Sequence, residues 1–299
     1  MSQLITCAFS GGTGMGTLFG DLGFDCGEPK CMPTPYGDEV WYIIYERDDL
    51  TFLSLDRHNS TGELRLADQL DSRPYVYAMW KLNQMYPDKF RLQFMRGTSA
   101  VGGLSNATNI QGGLEVGDIV IPHDVIDFTR STWSFSIKDR YVHPTAFHRT
   151  AKDLLCPHLQ GQLRKTNKVK SGGVLACAIT GPLYETPAEI VMHARQGICD
   201  LFGMQTATQE AYYARQAGLH YSVACVVTDT PDVEHDVDGE EVVRIMNDRK
   251  PFLAELFVQA MIESEDMTGF TCSCIKNLPV FHEDLAGDPA DMVGPGGLL

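Results

Sequence analysis

Gly173-Val174-Leu175-Ala176-Cys177-Ala178-Ile179 runs straight into Thr180-Gly181-Pro182-Leu183-Tyr184-Glu185-Thr186-Pro187-Ala188-Glu189. The first stretch is continuously apolar and of strand length, the pattern of a strand covered on both faces. The second changes character. Thr186 stands three residues before Glu189, the spacing of a capping box, and Pro187 suits a first helical turn, so a helix is predicted over Pro187–Gln196. A buried strand that hands the chain through a polar loop to a helix is the building unit of an α/β sheet.

The same grammar recurs outward in both directions. Strands are predicted at Leu4–Phe9, Trp41–Tyr45, Thr51–Leu55, Arg91–Met95, Asp118–Ile121 and Tyr221–Thr228. Helices are predicted at Tyr75–Tyr86, Ala146–Thr166, Gln209–Gln216 and Gly239–Met261, with Pro251 expected to break the last in two, because a proline removes a helical hydrogen bond and clashes with the preceding turn. The sum is one α/β domain over residues 1–283 with a mostly parallel or mixed sheet, followed by a Gly/Pro-rich tail over 284–299 that is expected to be flexible.

Composition narrows the function. The chain has 299 residues, 43% hydrophobic and 21% charged, which suits a globular core. A net charge of -15 would repel a polyphosphate backbone, so nucleic-acid binding is disfavoured. The start Met-Ser-Gln-Leu-Ile-Thr-Cys lacks a basic segment before an apolar run, and nowhere do ~18 apolar residues run together, so the expected location is cytoplasmic with no membrane partner. Nine cysteines, an odd number, read as small buried hydrophobes. Cys272 and Cys274 leave two readings open, a strained local disulfide or free thiols in a C-terminal tail. The nine histidines show no paired spacing with Cys or Asp, His235 reads as part of an acidic loop, and neither a metal nor a cofactor is expected.

Five segments carry possible chemistry, each following a predicted strand, where α/β folds gather their sites. Ser10-Gly11-Gly12-Thr13-Gly14 offers backbone N–H groups and two hydroxyls to an anion, or is simply a glycine turn. Arg57-His58 can converge on a phosphate, or sit in a solvated turn. Thr98-Ser99-Ala100-Val101-Gly102-Gly103 is a third anion-compatible loop. In the loop quoted first, Tyr184 can stack on a flat heterocycle and Glu185 can accept its N–H donors. Thr228-Asp229-Thr230-Pro231-Asp232 sets two carboxylates at a strand end, one able to protonate a leaving nitrogen, or it is an acidic turn.

Together these segments resemble the trimeric purine nucleoside phosphorylase and methylthioadenosine phosphorylase family, from about Ile5 to Ala260. The most specific stretch is Gly181–Glu189 followed by Gly203-Met204, Glu210 and Ala214-Arg215-Gln216-Ala217-Gly218. The resemblance implies a mixed, barrel-like central sheet flanked by helices, and a homotrimer with active sites near subunit interfaces. It also implies phosphorolysis of a purine nucleoside, with inorganic phosphate as co-substrate. Carried over by position, Thr13, Arg57, His58, Ser99 and Ala100 look like the phosphate site, joined by Thr206 or Gln205 in a segment with one residue inserted. Met204 looks like the ribose contact, and Tyr184, Glu185, Asp229 and Asp232 the base contacts. Val242, Val243 and Met246 would wall the 5′ pocket, or belong to the core, and His143 would reach in from a neighbouring subunit.

Asp229 stands where the family uses Asp for 6-aminopurines and Asn for 6-oxopurines, which favours 5′-methylthioadenosine and free adenine as product. Glu185 is instead the residue that 6-oxopurine members hold against the base, and no second histidine follows Arg57-His58. Asp229, with His58, is therefore the expected catalytic pair. The alternatives are a phosphorylase of inosine, guanosine or adenosine, and a non-catalytic nucleoside-binding protein on the same fold.

Overall fold

The computed structural model describes residues 4–11, 18–34, 36, 39–58, 67–104, 107, 109–129, 136–137, 140–141, 152–166, 168–179, 181, 183–231, 237–263, 272 and 274. Thr13, His143, Asp232, His235 and the 284–299 tail lie outside these residues, and Met204 and Gln205 are described by their backbone alone.

The strands are β1 (Ile5–Ser10), β2 (Asp25–Cys26), β3 (Lys30–Pro33), β4 (Glu39–Arg47), β5 (Leu50–Leu55), β6 (Phe90–Gly103), β7 (Ile119–Ile121) and β8 (Asp124–Asp127). They continue with the small hairpin β9 (Ser136–Ile137) and β10 (Arg140–Tyr141), then β11 (Lys170–Ser171), β12 (Val174–Ile179), β13 (Leu201–Met204) and β14 (His220–Asp229). The helices are α1 (Arg73–Met85), α2 (Pro157–Leu163), α3 (Pro187–Gln196), α4 (Gln205–Gln216) and α5 (Gly239–Ile262).

β6 organises the sheet. Its first half runs parallel to β1, with Ile5 opposite Phe90 and Ser10 opposite Gly97. Its second half leaves β1 and pairs antiparallel with β13, Gly103 opposite Leu201. Along most of its length it runs parallel to β14, from Phe94 opposite His220 to Gly102 opposite Asp229. The ladder continues from β13 to β12 to β8. Only Pro122 and His123 separate β8 from β7, which pairs back onto β14. The strands thus return to their start as the barrel-like mixed sheet that the resemblance implies, with β1, β5 and β4 forming an open wing.

Helices cover both faces, and the strand period of two shows it. On β14, Val223, Cys225 and Val227 join the core beneath α1 and α4, whereas Ala224 and Val226 join the core beneath α2 and α5. No helix among the described residues is long and apolar enough to cross a membrane.

Three expectations need correction. Thr98–Gly103 is not a loop but the end of β6, because β14 on one side and β13 on the other satisfy its backbone groups. α5 continues through Pro251. Val242, Ile245 and Met246 before it and Leu253, Phe257 and Met261 after it are all buried, so packing on both sides outweighs the ~3 kcal/mol proline penalty. Within the described part of the predicted helix Ala146–Thr166, residues 152–166, only α2 is helical; it starts at Pro157 behind an extended Cys156, as the residue before a proline disfavours the helical region. Of the two readings left open for Cys272 and Cys274, free thiols hold: both are free, and both are buried in the α2/α5 core.

Candidate active site

A cavity of about 270 Å³ opens where β6, β13 and β14 end. Arg57, His58, Ser99, Ala100 and Thr206 line it together with Tyr184, Glu185, Thr228, Asp229, Val242 and Val243. Segments separated by up to 186 residues in sequence, from Arg57 to Val243, therefore meet in one space.

Arg57 is nearly inaccessible to solvent, which for a charged group demands partners. Its Nη1 donates to Glu210 Oε1 at 3.0 Å and its Nη2 to the Thr98 carbonyl at 2.8 Å. Nε has no partner among the described residues. Glu210, on the buried face of α4, accepts in addition from Ser10 Oγ at 2.6 Å and from Tyr221 OH at 2.6 Å. Burial and the Glu210 charge hold the Tyr221 phenol far above its ordinary range, so it remains a donor. The Tyr75 hydroxyl fixes the Arg57 carbonyl at 2.6 Å. These bonds lock the guanidinium in one orientation.

Close packing makes this lock possible. A Cβ on Gly97 would stand 2.6 Å from Tyr221 OH and 2.8 Å from Glu210 Oε2, so only glycine lets the two side chains meet over β6. Thr206 opens α4 at the cavity edge, where the unsatisfied N–H groups and positive dipole end of a helix favour an anion.

At the other end, Asp229 closes β14 over Gly102, where a Cβ would stand 3.0 Å from Asp229 Oδ2. Burial raises the Asp229 carboxyl above its usual range, partly offset by a hydrogen bond from Thr228 Oγ1 at 2.9 Å. Glu185 is raised in the same direction, first by burial and then, against a bond from its own backbone, by the Asp229 charge. Two half-buried carboxyls in one cavity cannot both ionise freely, which poises one of them as a proton donor. The Tyr184 phenol is also raised by burial and by both carboxyls, and its half-exposed ring edges the cavity.

The capping box is present: Thr186 Oγ1 accepts from the Glu189 backbone N–H, and the Thr186 N–H donates to the Glu189 carboxylate at 2.8 Å. Capping and site formation coexist in that loop, since Tyr184 and Glu185 precede the cap.

Of the expected site residues, Arg57, His58, Ser99, Ala100, Thr206, Tyr184, Glu185, Asp229, Val242 and Val243 come together. Gly203 of β13 lines the cavity next to Met204. Met246 does not line it: one turn beyond Val242 and Val243, it is fully buried on the core-facing side of α5. Ser10, read as an anion donor, is committed to Glu210. Sequence reasoning gave Glu210 no role and missed Tyr221 and Phe202 altogether. The available signal was an acid flanked by Ala207, Ala211 and Ala214 on one helix face, a charge placed on an otherwise apolar stripe. No metal-ligating set lies in the cavity among the described residues, but Cys156, His220, Cys272 and Cys274 gather elsewhere, contrary to the spacing-based expectation.

Comparison with known proteins agrees with this geometry. The model of the Phosphorylase superfamily matches residues 97–263. A probable S-methyl-5′-thioinosine phosphorylase of Methanothermobacter thermautotrophicus is 28% identical over 81% of this chain and 78% of its own length. The S-methyl-5′-thioadenosine phosphorylase of Pyrococcus horikoshii is 30% identical over 78% of this chain and 86% of its own. In fold, the crystal structure of a methylthioadenosine phosphorylase from an antarctic soil metagenomic library superposes with a TM-score of 0.73 at 21% identity, covering 96% of both chains. With more than half of its length matched by the family model, from the barrel strands through α5, the chain belongs to the phosphorylase superfamily.

Proposed function

We propose that the protein cleaves the N-glycosidic bond of 5′-methylthioadenosine with inorganic phosphate, releasing adenine and a ribose 1-phosphate derivative. One observation carries this reading: the anion donors and the carboxyl pair share a single cavity. Arg57 is anchored at Thr98 and Asp229 lies over Gly102, four residues along β6. At the strand rise that is ~13 Å, a span suited to a phosphate, a ribose and a base in line.

Phosphate held by Arg57, His58, Ser99, Ala100 and Thr206, with Thr13 added from the glycine loop, stabilises positive charge growing on the ribose. A phosphate oxygen then bonds to C1′ as the bond from C1′ to N9 breaks, and its electron pair passes to the purine. Asp229 shares its proton with N7, so that a neutral base departs. A protonated Asp229 donates to N7 and accepts from a 6-amino group, whereas a 6-carbonyl would want a second donor. Tyr184 packs by the base, Met204 meets the ribose, Asp232 adds a base contact, and Val242 and Val243 give the 5′-methylthio group an apolar wall.

Glu185 favours a second reading. As a carboxylate it would accept from N1–H of a 6-oxopurine, so S-methyl-5′-thioinosine or inosine is the rival substrate, and the relatives carry both names. We further propose a cytoplasmic homotrimer with no resident cofactor. Leu183 at 80% exposed and Val243 at 41% leave apolar surface at the cavity rim for a neighbouring subunit to cover, and His143 would arrive from there.

The test incubates 5′-methylthioadenosine, S-methyl-5′-thioinosine, adenosine and inosine, each with and without phosphate. Phosphate-dependent release of adenine from 5′-methylthioadenosine above the other three is expected. Release without phosphate means a hydrolase, and a preference for either inosine substrate means that Glu185 sets the specificity.

A further inference from the structure

Far from the cavity, the structure gathers four soft ligands from three separate parts of the chain. Cys156 stands immediately before α2, His220 opens β14, and Cys272 and Cys274 follow α5. The Cys156 N–H donates to the Tyr221 carbonyl at 2.7 Å, which pins the start of α2 beside His220. All four ligand atoms lie within 4.8 Å of one another.

The individual edges are more telling. Cys156 Sγ is 3.6 Å from Cys272 Sγ and 3.4 Å from His220 Nδ1, and Cys274 Sγ is 3.2 Å from the same Nδ1. A tetrahedral zinc ion, with sulfur at ~2.3 Å and nitrogen at ~2.0–2.1 Å, sets sulfurs ~3.8 Å apart and sulfur and nitrogen ~3.6 Å apart. These three edges lie within a few tenths of an ångström of that shape, and the remaining ones are no longer than 4.8 Å, so a small closing movement completes it. Four ordinary thiol and imidazole contacts have no need to converge on one centre.

We propose that Cys156, His220, Cys272 and Cys274 bind one zinc(II) ion in a closed Cys3His site that ties the C-terminal segment to the barrel. Three thiolates and a neutral imidazole around Zn²⁺ leave one net negative charge. The fully buried Arg96, which interacts electrostatically with Cys156, supplies the opposite one. With all four positions taken by protein the ion has no site for water or substrate, so its role is structural. His220 and Asp229 stand at opposite ends of β14, ~30 Å apart along the strand, and the ion takes no part in phosphorolysis.

The test measures metal in the full chain, purified without chelators and without a metal-affinity tag. About one zinc per chain by elemental mass spectrometry is expected. Exchange to cobalt(II) should give the visible bands of a tetrahedral thiolate site. The double variant Cys272→Ser, Cys274→Ser should lose the zinc and melt at lower temperature, while phosphorolysis at low temperature persists. If that variant fails to fold, stoichiometry and the cobalt spectrum of the native chain decide alone. Reduced native protein that neither contains zinc nor takes it up on dialysis overturns the proposal. So does an intact mass lower by two hydrogens, since a disulfide would consume two of the ligands.

Discussion

The two ends of β14 carry the two chemical clusters of the molecule, and they are built on opposite principles. At Asp229 the strand ends in a cavity where polar groups face one another across space left for a substrate. At His220 it begins among three thiols in contact, with no such space between them. Ten residues of continuous, almost wholly buried strand join the two ends. A site that works on a substrate must leave its groups partly unsatisfied, whereas a site that only holds the fold can satisfy them all. Arg57 and Arg96 repeat the contrast. Both are buried, but Arg57 lines the cavity, whereas Arg96 bonds inward to Gln162, Ser222 and the Ala260 carbonyl.

Mutation should separate the ends. Asp229→Ala should lower kcat by ~10²–10⁴-fold with little change in melting temperature, read by steady-state phosphorolysis. Near-normal turnover would remove Asp229 from proton transfer and abolish the contrast. Glu210→Ala breaks the lock without touching the base: it strands a buried guanidinium, which costs about 3–5 kcal/mol and should also raise the KM for phosphate. Denaturant unfolding and phosphate titration would measure the two effects.

Gly97→Ala acts between the ends, opposite Val223 of β14. Its added methyl group meets Tyr221 OH and Glu210, and overpacking of this kind costs about 1–3 kcal/mol. A neutral result would show that the Glu210 network is slack. Thr186→Ala removes the α3 cap at about 1 kcal/mol and should leave base preference unchanged if capping and recognition are separable in that loop.

The smallest expected effect is on pH dependence. Asp229 is held above its ordinary range, so the native state binds the proton more tightly than the unfolded chain. That contribution to stability is complete below the unfolded value and is lost as pH rises through the folded one. Asp229→Asn should flatten the weakly acidic part of the stability curve. It should also remove the alkaline limb of the kcat/KM profile that arises from Asp229.

Much of the molecule was legible along the chain. Continuous apolar runs located β1, β5, β12 and β14, because a strand covered on both faces has no polar side to disguise it. Thr186, Pro187 and Glu189 gave the start of α3 correctly, since caps are local. β13 escaped notice: four residues with a glycine among them carry no period, and only pairing with β6 and β12 makes them a strand. The Arg57 lock, the shared environment of Glu185 and Asp229, and the thiol–imidazole cluster were also hidden, because each joins groups that are distant in sequence.

Sequence alone determined the α/β class, the residue types available for an anion and a base, and a net charge of -15 that disfavours a polyanionic partner, all of which are local or additive properties. Tertiary structure alone decided that Arg57 is clamped by Glu210, that Met246 faces the core, and that Cys272 and Cys274 meet Cys156 and His220. The reason is that contacts between distant segments are fixed by how strands cross, and a linear spacing does not record that crossing.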